Sequence, residues 1–315
     1  MEYPIAMRYY LGIDGGGTQT TAWLADERRQ VIARAQAGPS NPTKVGMANA
    51  QAEIQHAVNG CLRLAPSARK SLAAVCAGIA GVDRPRIHDP LLRWLQEYLP
   101  AAHYHVTTDA AIALEAAFGE TPGILVIAGT GSIAYGRNTK GATLRCGGWG
   151  SLFDDAGSGY DLGRKAITAA LWDFDGRGQR TRLRSLICTA LRLKTITGVV
   201  EPAPRPHEIA ALLPVVLGAA RRGDSVARKL CDDAGRELAA LVLALHQRLV
   251  ASGAKLPVVC AGGVFHSSLR VRRSFAAHLR GEIPQSRVML LRRQPVEGAL
   301  TIAHRLDQKR ETREP

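Results

Sequence analysis

The chain has 315 residues, of which 46% are hydrophobic, and this length suits two domains of ordinary size or one large domain. It contains no apolar run long enough to span a membrane and no signal peptide in residues 1–8, so we expect a cytoplasmic protein. Its formal net charge of +14 comes mostly from scattered arginines, without interleaved aromatic residues or a helix-turn-helix signature, and we therefore expect no nucleic-acid partner.

The first part of the chain predicts three strands and then alternating helices and strands. The predicted strands lie at 9–13, 20–25, 31–35, 71–77 and 104–107. Apolar residues at helical spacing predict one helix between the third and fourth strands, with Ala50, Ile54, Val58 and Leu62 on its buried face. Further helices are predicted at 87–98 and 109–118.

The same order of elements then begins again. Strands are predicted at 123–128, 133–137 and 142–146, so both series open with strand, glycine-rich turn, strand, turn and strand. This pattern indicates an internal repeat of architecture with little sequence identity. The remaining predicted elements are helices at 157–173, 181–192, 206–221 and 224–251, a last strand at 256–260 and a final helix at 295–306. We therefore predict an α/β protein with domains at 1–121 and 122–315.

Two glycine-rich turns occupy matching points of the repeat. Asp14-Gly15-Gly16-Gly17-Thr18 and Gly129-Thr130-Gly131-Ser132 each follow a predicted strand and precede another. Glycines let a phosphate approach the backbone, and free N–H groups and hydroxyls can donate hydrogen bonds to its oxygens. Each turn alone could be a tight hairpin. The matched pair instead predicts two loops that bind the phosphates of one nucleotide, and hence an ATP-using phosphotransferase.

Neither turn fits the nucleotide-binding motifs of other folds. Both lack the Gly-Lys-Ser/Thr ending of a P-loop, and a strand follows where a P-loop or a dinucleotide fingerprint requires a helix. Asp14 stands at the end of its strand, where a carboxylate could hold Mg²⁺ through water. Gly262 and Gly263 follow the last predicted strand and could lie against an adenine ring or ribose, although a plain strand-to-helix turn accounts for them equally well.

Asp109 stands where a predicted strand passes into a helix. An N-cap is the simpler interpretation, because aspartate suits that position. The alternative is a general base that accepts a proton from a substrate hydroxyl as it attacks the γ-phosphate. The two interpretations are compatible, since substrates bind at strand ends in such sheets.

The segment 146–160 combines glycines, a tryptophan and two neighbouring carboxylates. Gly148, Trp149 and Gly150 are followed by Asp154 and Asp155. A sugar ring has an apolar face and a rim of hydroxyls, and an indole with carboxylates matches both. A flexible loop with a packing tryptophan does not account for the aspartate pair.

Five motifs occur in an order that resembles a known family. They are Asp14–Thr18, Ala80–Pro85, Thr107–Ala110, Gly129–Ser132 and Gly147–Gly150. Together they resemble the N-acetylglucosamine kinase branch of the BadF/BcrA-type ATPases, within the sugar kinase, heat-shock chaperone and actin superfamily. The resemblance implies two ribonuclease-H-like (actin-like ATPase) domains with an interdomain cleft, ATP and Mg²⁺ as cofactors, and phosphate transfer to an amino sugar, typically at its 6-hydroxyl.

The resemblance also implies roles for individual residues. Asp109 would be the catalytic base, and Asn41 would hold the sugar together with Gly148, Trp149, Gly150 and Asp155. Thr18, Thr130 and Ser132 would contact phosphates, and Gly262 and Gly263 the nucleoside. A homodimer is common among similar proteins, and we expect one here.

One segment departs from the family pattern. Family members usually have Gly-Asp-Glu-Gly-Ser where this chain has Asp154-Asp155-Ala156-Gly157-Ser158. A carboxylate is therefore lost at residue 156 and gained at residue 154. We hypothesise that Asp154 adds negative charge near the sugar, which would favour the protonated amine of glucosamine over the acetamide of N-acetylglucosamine.

The alternative function is an ATPase activator of a partner dehydratase or reductase. Such an activator needs a cysteine-held iron–sulfur cluster. Cys146 stands in a plausible place, but the six cysteines are far apart and no pair has C-x-x-C spacing. The cysteine pattern therefore favours the amino-sugar kinase.

Overall fold

The computed structural model describes residues 7–250, 256–284 and 286–311, and these fold into two α/β units. The first unit comprises the described residues of Met1–Glu120 and of Arg292–Pro315, and the second comprises those of Thr121–Leu291. The boundary near residue 121 agrees with the prediction. The C-terminal segment was predicted to lie in a domain at 122–315, but the described residues from Arg292 onward belong to the first unit.

Up to residue 120, the first unit follows the predicted alternation of elements. Its strands are β1 (Tyr9–Gly15), β2 (Thr20–Asp26), β3 (Val31–Ala37), β4 (Leu72–Ile79) and β5 (Ala101–Thr107). Its helices are α1 (Pro42–Val45), α2 (Met47–Leu64), α3 (Pro85–Tyr98) and α4 (Asp109–Phe118), with a 3-10 helix at Pro66–Ser71.

The first sheet has the strand order β3-β2-β1-β4-β5. The pairs β1–β2 and β2–β3 are antiparallel, whereas β1–β4 and β4–β5 are parallel. Alternate residues of β1 enter different cores, since Leu11 packs with Ile54 of α2 and Tyr10 packs with Ile112 of α4. Helices therefore cover both faces of the sheet.

The second unit repeats this plan. Its strands are β6 (Gly123–Ala128), β7 (Ser132–Arg137), β8 (Thr143–Gly147), β9 (Val258–Ala261) and β10 (Val288–Leu290). Its helices are α5 (Gly159–Phe174), α6 (Leu183–Leu191), α7 (Pro206–Ala210), α8 (Leu213–Arg221), α9 (Ser225–Leu249), α10 (Gly263–Ser267) and α11 (Leu269–Glu282). Its strand order is β10-β9-β6-β7-β8. Read from the other edge, β8-β7-β6-β9-β10 matches β3-β2-β1-β4-β5 of the first sheet strand for strand, which confirms the predicted repeat.

Two details of the second unit differ from the prediction. The strand at 256–260 was predicted as the last one, which is wrong because β10 follows it. β10 spans only Val288–Leu290 and is too short to show a periodic pattern. The helix predicted at 206–221 is divided into α7 and α8, and Pro214 lies in the first turn of α8, where a missing N–H is tolerated.

The last helix, α12 (Pro295–Glu311), packs on β1, β4 and α4 of the first unit. A Cβ at Gly12 would lie 2.9 Å from Leu300 Cγ, and a Cβ at Gly298 would overlap the carbonyl oxygen of Ile112. Two glycines thus permit close contact of α12 with the sheet and with α4. None of the helices within the described ranges is long and apolar enough to cross a membrane.

Candidate active site

The turn between β1 and β2 presents unused hydrogen-bond donors. The Gly16 N–H donates to the carbonyl of Gln19 at 2.9 Å, and the Gly16 carbonyl accepts from the Ser40 N–H at 3.1 Å. Within the described part of the chain, the N–H groups of Gly17 and Thr18 and the Thr18 hydroxyl have no protein acceptor, and both residues are exposed. Such a set of donors suits phosphate oxygens.

The three positions in this turn are glycine for different structural reasons. A Cβ at Gly15 would overlap the side chain of Ser40, so packing inside the unit already excludes a side chain there. A Cβ at Gly16 would meet no atom closer than 3.5 Å, and one at Gly17 would lie 3.2 Å from Lys44 Nζ. Access for a phosphate is therefore a reason for glycine at residues 16 and 17, whereas packing accounts for Gly15.

Asp14 and Asp109 are half-buried carboxyls, and the charge of Asp109 acts on Asp14. Burial raises the pKa of Asp14 to about 7, with a smaller contribution from the charge of Asp109. Burial also raises the pKa of Asp109, and the Asp83 carboxylate acts in the same direction. The Ala110 N–H and the Lys44 ammonium oppose that shift. This end of the sheet therefore favours a bound cation or a proton.

Asp14 fits a Mg²⁺ site that a nucleotide would complete. Within residues 7–250, 256–284 and 286–311, no group of three or more His, Cys, Asp or Glu side chains could hold a metal ion by itself. Nucleotide-bound Mg²⁺ usually takes one or two protein carboxylates, while phosphates and waters fill its other positions. The desolvated Asp14 carboxyl, at the end of β1, could supply one such carboxylate.

Thr108, rather than Asp109, caps helix α4. The Thr108 backbone is extended, with φ −79° and ψ 154°, and its Oγ1 accepts a hydrogen bond from the Ala111 N–H at 3.1 Å. Asp109 Oδ1 accepts a local bond, from the Ala110 N–H at 2.9 Å. The N-cap interpretation of Asp109 was therefore wrong, because the preceding threonine fills that role. The Asp109 carboxylate is not needed as a cap and can accept a proton from a substrate.

The Asn41 side chain caps helix α1 through its oxygen and, among the described residues, leaves its N–H₂ group unused. Its Oδ1 accepts hydrogen bonds from the Thr43 N–H at 3.0 Å and the Thr43 hydroxyl at 2.7 Å, which caps α1. Gly81, with φ +78°, packs so closely that a Cβ there would lie 2.9 Å from Asn41 Oδ1. Among the residues with described side chains, none accepts a hydrogen bond from Asn41 Nδ2. That N–H₂ group is available to a sugar hydroxyl.

The turn between β6 and β7 repeats the donor pattern, except at Ser132. In the described chain, the N–H groups of Thr130 and Gly131 have no protein acceptor. Ser132 instead donates its N–H to Asp155 Oδ1 at 3.0 Å and its hydroxyl to the Ala156 carbonyl at 2.7 Å. The N–H groups of Thr130 and Gly131 are therefore available to a ligand, whereas a donation from Ser132 would require an existing bond to break.

Asp155 lies against this second turn. The residue is buried and adopts a left-handed backbone conformation with φ +68°. A Cβ at Gly131 would lie 2.6 Å from Asp155 Oδ1, so the carboxylate requires a glycine at that point of the turn. The residue that the resemblance assigns to the sugar thus also supports the shape of the turn between β6 and β7.

Gly262 and Gly263 lie next to the same turn but differ in their surroundings. Gly262 precedes α10 with φ +94°, and a Cβ there would overlap the carbonyl of Ala128, the residue before Gly129. A Cβ at Gly263 would meet no atom within 4 Å, and the residue is exposed. Gly262 therefore brings the chain against the end of β6, while Gly263 offers a bare surface for a nucleoside.

Trp149 is presented on a loop of glycines. Gly147, Gly148 and Gly150 have φ values of +75°, +74° and +92°, which only glycine adopts readily. The tryptophan is 63% exposed, and the guanidinium carbon of Arg145 lies 4.2 Å from its ring centroid. An exposed indole face can stack on the apolar face of a sugar.

The structure thus groups the predicted residues within each unit. The first unit holds Asp14, Gly15, Gly16, Gly17, Thr18, Asn41 and Asp109. The remaining predicted residues lie in the second unit, around the β6–β7 turn and the glycine loop: Thr130, Gly131, Ser132, Gly148, Trp149, Gly150, Asp155, Gly262 and Gly263. The sequence analysis missed Lys44, whose side chain packs over Gly17. Nothing in the sequence around Lys44 distinguishes it from the other basic residues of this arginine-rich chain.

Two units with one strand order, each with a glycine-rich turn carrying unused donors after its first strand, define an ATPase with two ribonuclease-H-like domains. The chain belongs to the BadF/BadG/BcrA/BcrD ATPase family, whose sequence pattern matches residues 11–303. The family resemblance and the fold class expected from the sequence are thereby confirmed.

Three similar proteins extend over nearly the whole chain. An N-acetylmuramic acid/N-acetylglucosamine kinase of Clostridium acetobutylicum is 34% identical over 301 residues, which cover 94% of this chain and 98% of that protein. An N-acetyl-D-glucosamine kinase of Dictyostelium discoideum is 28% identical over 309 residues, covering 93% and 97%. A crystal structure from Chromobacterium violaceum, provisionally described as an N-acetylglucosamine kinase, matches with a TM-score of 0.79 at 26% identity, covering 94% and 98%.

Proposed function

We propose that this protein is an ATP-dependent amino-sugar kinase. It transfers the γ-phosphate of ATP to a hydroxyl, which we take to be the 6-hydroxyl, of a sugar such as N-acetylglucosamine or glucosamine. The observation that carries the proposal is the Asp109 carboxyl, which interacts with Asp14 at the phosphate turn. The similar kinases of C. acetobutylicum and D. discoideum support an amino sugar as the acceptor.

Asp109 is the general base of the proposed reaction. Its pKa is raised by burial, which brings a carboxylate closer to the proton affinity that suits a base near neutral pH. It accepts the proton of the attacking sugar hydroxyl as the bond to phosphorus forms. The free Nδ2 of Asn41 donates to another sugar hydroxyl and fixes the acceptor in position.

The nucleotide is bound by backbone donors. Gly17 and Thr18 in the first unit, and Thr130 and Gly131 in the second, donate hydrogen bonds to phosphate oxygens. Gly263 leaves room for the nucleoside. Asp14 would hold Mg²⁺, which neutralises phosphate charge when it is bound.

The sugar specificity comes from the glycine loop of the second unit. Trp149 stacks on the ring, the backbone at Gly148 and Gly150 approaches it closely, and Asp155 contacts a hydroxyl. Asp154 stands beside this loop, because a Cβ at Gly147 would lie 3.3 Å from Asp154 Oδ2. Its negative charge favours a protonated amine, and hence glucosamine.

We also propose a cytoplasmic homodimer. All six cysteines are free thiols, which supports a reducing compartment. Two-fold dimers are the commonest closed assemblies of such proteins.

An ATPase activator is the second candidate, and the spacing of the cysteines disfavours it. Such an activator needs an iron–sulfur cluster held by several cysteine thiolates, and no second cysteine stands near Cys146 in the sequence.

The product identifies the reaction. The purified protein is incubated with Mg-ATP and each amino sugar, and the product is examined by mass spectrometry and by phosphorus–proton NMR correlation. The proposal predicts a sugar monophosphate with phosphorus coupled to the C6 protons. Coupling to another carbon would overturn the 6-hydroxyl assignment, and formation of inorganic phosphate without a sugar phosphate would overturn the kinase.

A further inference from the structure

Lys44 of α1 lies over the first phosphate turn. From the position of a Cβ on Gly17, the Lys44 Nζ is 3.2 Å away, its Cδ 3.6 Å and its Cε 3.8 Å. The aliphatic stem therefore runs along the turn, and the ammonium lies close to the residue that offers free N–H donors.

The segment that carries Lys44 is anchored, whereas its ammonium is not paired. The Lys44 backbone N–H donates to the Asn41 carbonyl at 2.9 Å, and the Asn41 side chain caps the same helix. In the part of the chain that the structure describes, no side chain forms an ion pair or hydrogen bond with the ammonium. A cation beside backbone N–H donors creates positive potential without a counter-ion, which is the setting that an anion completes.

The charge of Lys44 also reaches the proposed base, because it lowers the pKa of Asp109 against the effect of burial. The ammonium therefore serves both the turn that holds phosphate and the carboxylate that receives the proton. Phosphoryl transfer moves a highly charged group between these two places, and a fixed cation there stabilises the charge in the transition state.

We propose that Lys44 binds the terminal phosphate of the nucleotide and stabilises it during transfer. This inference rests on the proposed function and adds a residue to it. A compact ammonium suits the role, because it binds phosphate as a point charge with three hydrogen-bond donors.

Binding of two nucleotides tests the inference without relying on turnover. The affinities of ADP and of the non-hydrolysable ATP analogue AMPPNP, both with Mg²⁺, are measured by calorimetry for the wild type, Lys44→Met and Lys44→Arg. Lys70→Met is the matched control, because Lys70 is an exposed lysine in the 3-10 helix that precedes β4.

We expect Lys44→Met to weaken AMPPNP binding on the order of tenfold and ADP binding by less than about twofold, with Lys44→Arg intermediate. Lys70→Met leaves both affinities unchanged. An equal loss for both nucleotides, or no loss for either, would overturn the assignment of Lys44 to the terminal phosphate while leaving the kinase intact. A wild-type protein that binds neither nucleotide would overturn the proposed function, and this inference with it.

Discussion

The Asp155 carboxylate accepts a hydrogen bond from the Ser132 backbone N–H, with an N···Oδ1 distance of 3.0 Å. The bond joins the segment after Trp149, which we assign to the sugar, to the turn that we assign to phosphate. Because Asp155 is buried, its removal would leave the Ser132 N–H without an acceptor. On these proposed assignments, one carboxylate would link sugar binding to the shape of the turn between β6 and β7.

Substitutions at Asp155 separate the two roles. Asp155→Ala removes the acceptor, and we expect it to cost about 1–3 kcal/mol of stability and to raise the KM for ATP. Asp155→Asn keeps an oxygen for Ser132 and should preserve both quantities while raising the KM for the sugar. Steady-state kinetics and thermal unfolding of both variants supply the measurement. An alanine variant with normal stability and a normal KM for ATP would show that the bond does not hold the turn.

Asp109→Asn should abolish phosphate transfer and spare nucleotide binding. The amide oxygen can still accept the Ala110 N–H, so the start of α4 is retained, but an amide cannot take the proton. We expect kcat to fall by about 10²–10⁴-fold. Single-turnover kinetics and ADP calorimetry measure the two properties separately.

Thr108→Ala is the control for this substitution. It removes the α4 cap and should lower stability by about 1 kcal/mol with little effect on kcat. Near-normal turnover of Asp109→Asn would exclude the residue as the base.

His304 makes the stability of the protein depend on pH. Burial lowers the pKa of this imidazole from 6.5 to about 4, and Arg29 acts in the same direction, against Asp26 and Asp307. Below pH 6.5 the unfolded chain binds a proton that the folded protein takes up only near pH 4. Stability therefore falls as the pH falls from 6.5 to 4, by about 3 kcal/mol in total from this residue.

Urea unfolding at several pH values tests the contribution of His304 to the pH dependence of stability, with His304→Gln as the comparison. The glutamine side chain does not titrate. The difference in unfolding free energy between the two proteins should therefore change by about 3 kcal/mol between pH 6.5 and pH 4. A difference that is independent of pH would mean that the folded protein protonates His304 as readily as the unfolded chain does.

The charge at Asp154 should set the preference between two sugars. We expect Asp154→Gly and Asp154→Asn each to shift the ratio of kcat/KM for glucosamine over N-acetylglucosamine toward the acetamide, by about tenfold. The asparagine variant keeps the size of the side chain and removes only its charge. An unchanged ratio in both variants would exclude Asp154 as the determinant, and a shift in the glycine variant alone would point to space rather than charge.

The parts of the fold and site that could be predicted have strong local signals. The strands on either side of Gly15–Gly17 and Gly129–Gly131 are apolar runs interrupted by glycine, and this pattern located both turns. Thr108 and Asp109 show the limit of such signals, since either residue suits a cap and only the backbone conformation decides between them.

Other features depend on contacts between distant residues. The position of α12 on the first sheet follows from close packing at Gly12 and Gly298, which are far apart in the chain. The bond from Ser132 to Asp155 and the packing of Lys44 over Gly17 are likewise long-range contacts. No local periodicity encodes them, so they could not be predicted from the sequence.

The most direct test of the central claim is ADP release by the purified protein with Mg-ATP, first without sugar and then with N-acetylglucosamine, glucosamine and glucose in turn. An amino-sugar kinase should release ADP slowly alone and much faster with one or both amino sugars, and Asp109→Asn should remove that stimulation. Equal ADP release in every case would contradict the account and leave an ATPase whose partner is still to be found.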